Sequence, residues 1–193
     1  MNRIISSGVV AALVGLAGQA SGSIVFSDVT IAGSLSAGAS YNDGPGGITF
    51  SFPAAEVGDP VDPIRSGNIV ITYNVEGTNG ESFSEMLLAV AGNLSGSGMM
   101  FINEIVEDLN GGGVLGSYNT VLTDNSQLPL NTSFAFSESS NHIRVKKTFV
   151  LAAVDTNGFD WAQITEVGQL PSPGSVSLLA GAGIVAMAYR RRR

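Results

Sequence analysis

The chain contains no cysteine and a single histidine, His142, among its 193 residues. The first absence excludes a disulfide scaffold, a thiolate metal site and a cysteine nucleophile. The second excludes a multi-histidine zinc or iron centre within one chain. Charge is scarce as well, with Asp, Glu, Lys and Arg making up 13% of the residues. Positive charge is almost missing from the middle of the chain. All 16 acidic residues lie between Asp28 and Glu166, where the only basic ones are Arg65, Arg144, Lys146 and Lys147. Such a surface repels phosphate backbones, which excludes nucleic acid as a partner. A length of 193 residues leaves room for one globular domain.

The two ends carry what the body lacks. Arg3 is followed by an uncharged apolar stretch, Ile4–Ala17, and then by Gly18-Gln19-Ala20, with small residues where a signal peptidase needs them. This is the pattern of a secretory signal peptide over residues 1–22. It predicts an N-terminal signal helix, export through the Sec translocon and a cut after Ala20. A permanent N-terminal anchor is the alternative. At the other end, Pro171-Ser172-Pro173-Gly174 leads into the uncharged stretch Gly174–Tyr189 and then four arginines, Arg190, Arg191, Arg192 and Arg193. As a helix that stretch spans only about 24 Å, short of a hydrocarbon core of about 30 Å. Snorkelling side chains and local thinning close the gap. Arg190, Arg191, Arg192 and Arg193 stay on the cytoplasmic side and act as the membrane stop.

A proline motif, a short small-residue helix and a terminal arginine cluster, in that order, resemble the PEP-CTERM sorting tail of exported bacterial proteins. The resemblance covers residues 171–193, with Ser172 standing where the usual Pro-Glu-Pro has glutamate. It implies a membrane-bound precursor with a short C-terminal transmembrane helix over 174–189. It also implies processing at Pro171, Ser172, Pro173 and Gly174 by an exosortase-like membrane protease. The mature chain would then work at the cell surface or outside the cell. A plain tail anchor that is never cut is the alternative.

Residues 23–170 form the expected extracellular domain. Short alternating runs are broken by Gly, Asn, Asp, Ser and Pro, which are strand and turn signals. Ile48, Phe50 and Phe52 alternate with polar residues, as do Ile69, Ile71, Tyr73 and Val75. Phe83–Ala91 and Met99–Leu109 carry apolar residues at helical spacing, but β texture and glycine clusters surround both, so both are predicted as strands. His142–Val154 starts with Ile143 and Val145 inward and Arg144 and Lys146 outward, then becomes an apolar run of the kind buried on both faces. The predicted fold is all-β, an antiparallel β-sandwich of jelly-roll or Ig-like topology with about nine strands.

Candidate sites are few. Asp155, Asn157 and Asp160 offer oxygens for calcium in a segment whose Asn157-Gly158 pair is also a hairpin signal. Asp108-Leu109-Asn110-Gly111 starts like a calcium loop and reads more simply as a glycine turn, and Asp59 and Asp62 bracket a proline loop. His142 lacks an activated serine partner in sequence and reads as a surface residue at a strand start. Glu104, Glu107 and Asp108 read as a solvated strand end, and Arg144, Lys146 and Lys147 as a small basic patch. No catalytic or cofactor residue is assigned, and calcium is the one cofactor that the residues could take. The leading expectation is a non-enzymatic structural or adhesive protein of the cell surface or extracellular matrix, with exopolysaccharide a candidate contact. The alternatives are a carbohydrate-binding β-sandwich module and a secreted hydrolase with a dispersed carboxylate site. Exposed coplanar aromatics at Tyr41, Tyr118 and Trp161 would favour sugar binding, and a deep cleft with two carboxylates would favour hydrolysis.

Overall fold

The computed structural model describes residues 24–44, 47–59, 64–78, 80–154 and 159–172. The expected signal peptide with Ala20 lies outside the described residues. So does the tail with Pro173, Gly174, the expected helix 174–189 and the expected membrane stop of Arg190, Arg191, Arg192 and Arg193. Among the described residues no helix is long and apolar enough to cross a membrane.

The described residues form two antiparallel sheets. Their strands are β1 (Ile24–Ala32), β2 (Ser40–Gly44), β3 (Gly47–Ser51), β4 (Glu56–Gly58), β5 (Ser66–Gly77), β6 (Phe83–Ser95), β7 (Met99–Asp108), β8 (Val114–Leu122), β9 (Leu130–Ser140), β10 (His142–Ala152) and β11 (Trp161–Ser172). One sheet runs β1-β5-β10-β7-β8 and the other β2-β3-β11-β6-β9, with β4 also paired to β11. Setting aside β1, β2 and β4, each sheet keeps four strands, and most connections cross from one sheet to the other. That order is the jelly-roll solution of the β-sandwich, in which each sheet covers the other's apolar face.

Burial follows the period of two wherever pairing is regular. In β5, Ile69, Ile71, Tyr73 and Val75 face inward, as their alternation predicts. Phe83–Ala91 is a strand, and its helix-like spacing has a local cause. The β6–β9 register shifts between Phe83 and Glu85, so the inward set passes from Phe83 to Met86, Leu88 and Val90. The shift sets residues 136–139 of β9 against Ser84 alone on β6, and an irregularity of this kind resets the parity. Met99–Asp108 is likewise a strand, with Met100, Ile102 and Val106 inward.

Two readings of the sequence are corrected. The apolar end of β10 is not buried on both faces: Phe149 and Leu151 are buried while Thr148 and Val150 are only half-buried. The alternation simply continues through the strand, which carries Lys147 inward. The C-terminal strand runs to Ser172, two residues past the expected boundary at 170. Pro171 and Ser172 are buried there and pair with Met86 and Glu85 of β6. β3 opens on Gly47 at φ +111°, where a Cβ would stand 2.2 Å from the Gln169 carbonyl oxygen. Only glycine permits that approach between β3 and β11.

Candidate functional site

Two polar clusters stand out, one open to solvent and one sealed between the sheets. The open one is a basin of about 560 Å³ at one end of the sandwich, where the β5–β6, β7–β8 and β9–β10 connections meet. Gly80 and Ser82, Asp108, Asn110 and Gly111, and the run Glu138–Asn141 line it.

Asp108 holds this end together. Its carboxylate accepts the Ser140 hydroxyl at 2.5 Å and the backbone N–H groups of Asn110 at 3.1 Å and Gly111 at 2.5 Å. The Ser140 bond, then the two backbone bonds and nearby His142, hold the Asp108 carboxyl below the usual carboxylate range. The Asn110 side-chain amide donates to Asn141 Oδ1 at 2.9 Å, tying the β7–β8 turn to the β9–β10 turn. The glycines of 111–113 form the turn expected of them, with Gly112 at φ +76°. His142 begins β10, half-buried, and its backbone N–H donates to Ser140 Oγ at 3.2 Å. Asp108, Asn110 and His142 therefore come together, but as a staple of two turns. An acid whose oxygens are already bonded to three donors, and whose pKa is lowered, is poorly matched to proton transfer.

Sequence reasoning passed over Glu138, Ser139, Ser140 and Asn141. Their signal was the polar run after the alternating Phe134 and Phe136. Ser82, Glu138 and Ser139 line the basin alongside the Asp108 staple.

The other candidates have separate employments. Asp160 is buried, and its Oδ1 accepts the Ser97 N–H at 2.5 Å, fastening the β6–β7 turn. Asp155 and Asn157 lie outside the described residues, as does Asp62. Asp59 lies 4.0 Å from the Arg65 guanidinium. Among the described residues no group of three or more His, Asp or Glu side chains could hold a metal ion. The three aromatics do not form one platform. Tyr41 is exposed on β2 and leans on Phe50, Tyr118 stacks at 6.2 Å on Phe134, and Trp161 meets Phe159 edge-on at 6.3 Å.

The sealed cluster corrects two further expectations. Glu104 is no part of a solvated strand end, and Lys147 is no part of a basic patch. Both are fully buried and sit opposite one another on β7 and β10, central strands of one sheet. Gln169 on β11, central in the other sheet, is 1% exposed and completes the cluster. Lys147 Nζ lies 2.5 Å from Glu104 Oε2 and donates to Gln169 Oε1. Gln169 Nε2 donates to Glu104 Oε1 at 2.9 Å, closing a ring of three side chains. Burial pushes the Lys147 amine down to about 8, against the pull of Glu104, and pushes the Glu104 carboxyl up. Tyr73, also fully buried, has its hydroxyl pushed up by burial and then by the Glu104 charge.

No family model matches the chain, and no curated protein does either. Similar solved structures include TmCBM61 in complex with β-1,4-galactotriose, at 14% identity and TM-score 0.40, covering 76% of this chain and 90% of that one. The family 11 carbohydrate-binding module of the cellulosomal cellulase Lic26A-Cel5E of Clostridium thermocellum aligns at 9% identity and TM-score 0.27, over 81% and 91% of the two chains. The enzymatically active domain of tailspike protein 4 of bacteriophage CBA120 aligns at 13% identity and TM-score 0.33, over 78% of this chain and 19% of that one. Each lies below the likeness at which a ligand or an activity carries over.

Proposed function

We propose that this chain is exported as a membrane-bound precursor and that its β-sandwich binds neutral carbohydrate outside the cell, without catalysis, through the polar basin. The observation that carries the binding reading is the basin's chemistry. Glu138, Asn141, Ser82 and Ser139 line an open cavity of about 560 Å³ on firmly stapled turns. Ligand sites commonly measure roughly 300–1,000 Å³. Sugar hydroxyls both donate and accept, and they match carboxylates, amides and serines set close together. Glu138 beside Asp108 disfavours uronic acids and sulfated sugars, so the substrate class is a neutral polysaccharide. The commitment of Asp108 to the turns supports a binding role over a hydrolytic one.

Affinity electrophoresis through gels containing neutral polysaccharides tests this. The wild-type chain is expected to be retarded, and Glu138→Ala with Asn141→Ala to lose most of that retardation. Equal mobility of wild type and variant in every gel would overturn the reading.

The sorting part of the proposal rests on the tail pattern. Pro171 and Ser172 are held in β11, which supports a cut on the C-terminal side of Ser172. Replacing Pro173 and Gly174 with alanine is expected to trap uncut precursor in the membrane fraction. Processing at the normal rate would reduce the tail to a plain anchor.

A further inference from the structure

Lys147, Glu104 and Gln169 have no task in sugar binding or sorting, and no solvent reaches them. Their arrangement is nevertheless that of a reaction. An amine, a primary amide and a carboxyl group sit in mutual contact in a dry interior, with one carboxylate touching both others. From this geometry we infer that the protein forms an intramolecular isopeptide bond between Lys147 and Gln169, with Glu104 as the proton shuttle.

The step balances without a further reagent. The Lys147 nitrogen attacks the Gln169 side-chain carbonyl carbon, and the new Nζ–Cδ bond forms. The Cδ–Nε2 bond breaks, and its electron pair leaves with nitrogen. The proton lost by the amine passes to Glu104 and from it to Nε2, so one ammonia departs. Glu104 is placed for both halves of this transfer, since Oε2 touches the nucleophile and Oε1 accepts from the leaving group. General acid–base catalysis needs that reach. The folded chain holds the reactants together, as an intramolecular reaction requires.

Burial supports the chemistry in a second way. A lysine in water is almost wholly protonated and therefore not nucleophilic. Desolvation lowers the Lys147 pKa to about 8, so a free amine is populated near neutral pH. The same burial raises the Glu104 pKa, which suits a group that must take a proton and return it.

The position gives the bond a purpose. It would join β10 to β11 at the centres of the two facing sheets. It would also clamp β11, the last strand among the described residues. With no cysteine in the sequence, no disulfide can do this. A cross-link removes freedom from the unfolded chain and so raises stability.

Intact-mass spectrometry of the purified full chain tests the inference independently of any sugar binding or tail processing. The expected wild-type mass is one ammonia below that of its own sequence between its observed termini. Tandem spectra of a digest should show the Lys147 peptide joined to the Gln169 peptide. Lys147→Arg and Gln169→Ala remove a partner, and Glu104→Gln keeps both partners but removes the shuttle. All three are expected at full mass with no joined peptide. A wild-type chain that is folded by circular dichroism yet has full mass overturns the inference. So does an ammonia loss that maps elsewhere, for example to Asn157-Gly158. A Glu104→Gln chain that still carries the link would remove Glu104 from its role. Should that variant not fold, the wild-type mass and the joined peptide still decide.

Discussion

The sealed cluster and the open basin are both polar, and they differ in one physical variable, access to water. In the basin, Asp108 is solvated and needs no counter-charge, so hydroxyl and amide donors suffice to position it. Between the sheets, Lys147 has no water, and it is in direct contact with Glu104 and Gln169 together. Polar residues at a loop end organise a surface cheaply. The same residue types in a core must be fully paired, because an unpaired buried charge costs several kcal/mol. The difference shows where substitutions will be felt.

The largest effect is expected at Glu104. Glu104→Leu leaves the Lys147 amine in the core without its counter-charge, with Gln169 Oε1 as its remaining partner, and breaking a buried pair in this way costs roughly 3–5 kcal/mol. Glu104→Leu with Lys147→Met removes both charges and should recover most of that loss. The single variant lacks the shuttle and the double variant lacks the amine, so neither is expected to carry the isopeptide bond, and intact mass confirms this before the midpoints are compared. Denaturant midpoints of the two chains measure the recovery. If the double variant is no more stable than the single one, the buried charges are not the source of the cost.

A smaller effect is expected in the basin, and its sign follows from the Asp108 pKa. Because folding lowers that pKa, its stabilisation is present above the unfolded value of about 3.9 and is lost as pH falls through the folded one. The Ser140 hydroxyl is the largest cause of the lowering. Ser140→Ala should therefore move the Asp108 midpoint upward in a carboxyl NMR titration. It should also loosen the two turns at a higher pH than in the wild type. An unchanged midpoint would mean that the backbone donors alone set the acidity.

Much of this was legible in the sequence, and what was not has a local reason. The sandwich could be read from the alternation of Ile48–Phe52 and Ile69–Val75 and from the glycine turns. The buried charges were half legible. Glu104 shares the parity of Met100, Ile102 and Val106, and Lys147 that of Ile143, Val145, Phe149 and Leu151. Parity alone placed both inside, against the habit of reading charges as surface. Gln169 was not legible in that way. The β11 register shifts between Ile164 and Glu166, so counting by twos from Ala162 puts Gln169 on the wrong face. A bulge of this kind leaves little trace in composition. The basin was hidden for a different reason, since it gathers three turns from distant parts of the chain.

The smallest effect is expected one residue away from the largest. Lys146 and Lys147 are neighbours with the same side chain, yet the pleat sends them to opposite faces of β10. Lys146 is exposed and flanked along its own face by Arg144 and Thr148, whereas Lys147 is fully enclosed. Lys146 keeps its water in the folded state, so folding hardly changes its environment. Surface substitutions of this kind usually change stability by less than about 0.5 kcal/mol. Lys146→Met should therefore leave the denaturant midpoint almost unmoved. Lys147→Met alone, which takes the counter-charge from the buried Glu104 carboxyl, should lower it strongly. Equal midpoints for the two variants would mean that the register of β10 is off by one residue. Both the sealed cluster and the isopeptide bond depend on that register, so this pair of substitutions tests their common foundation.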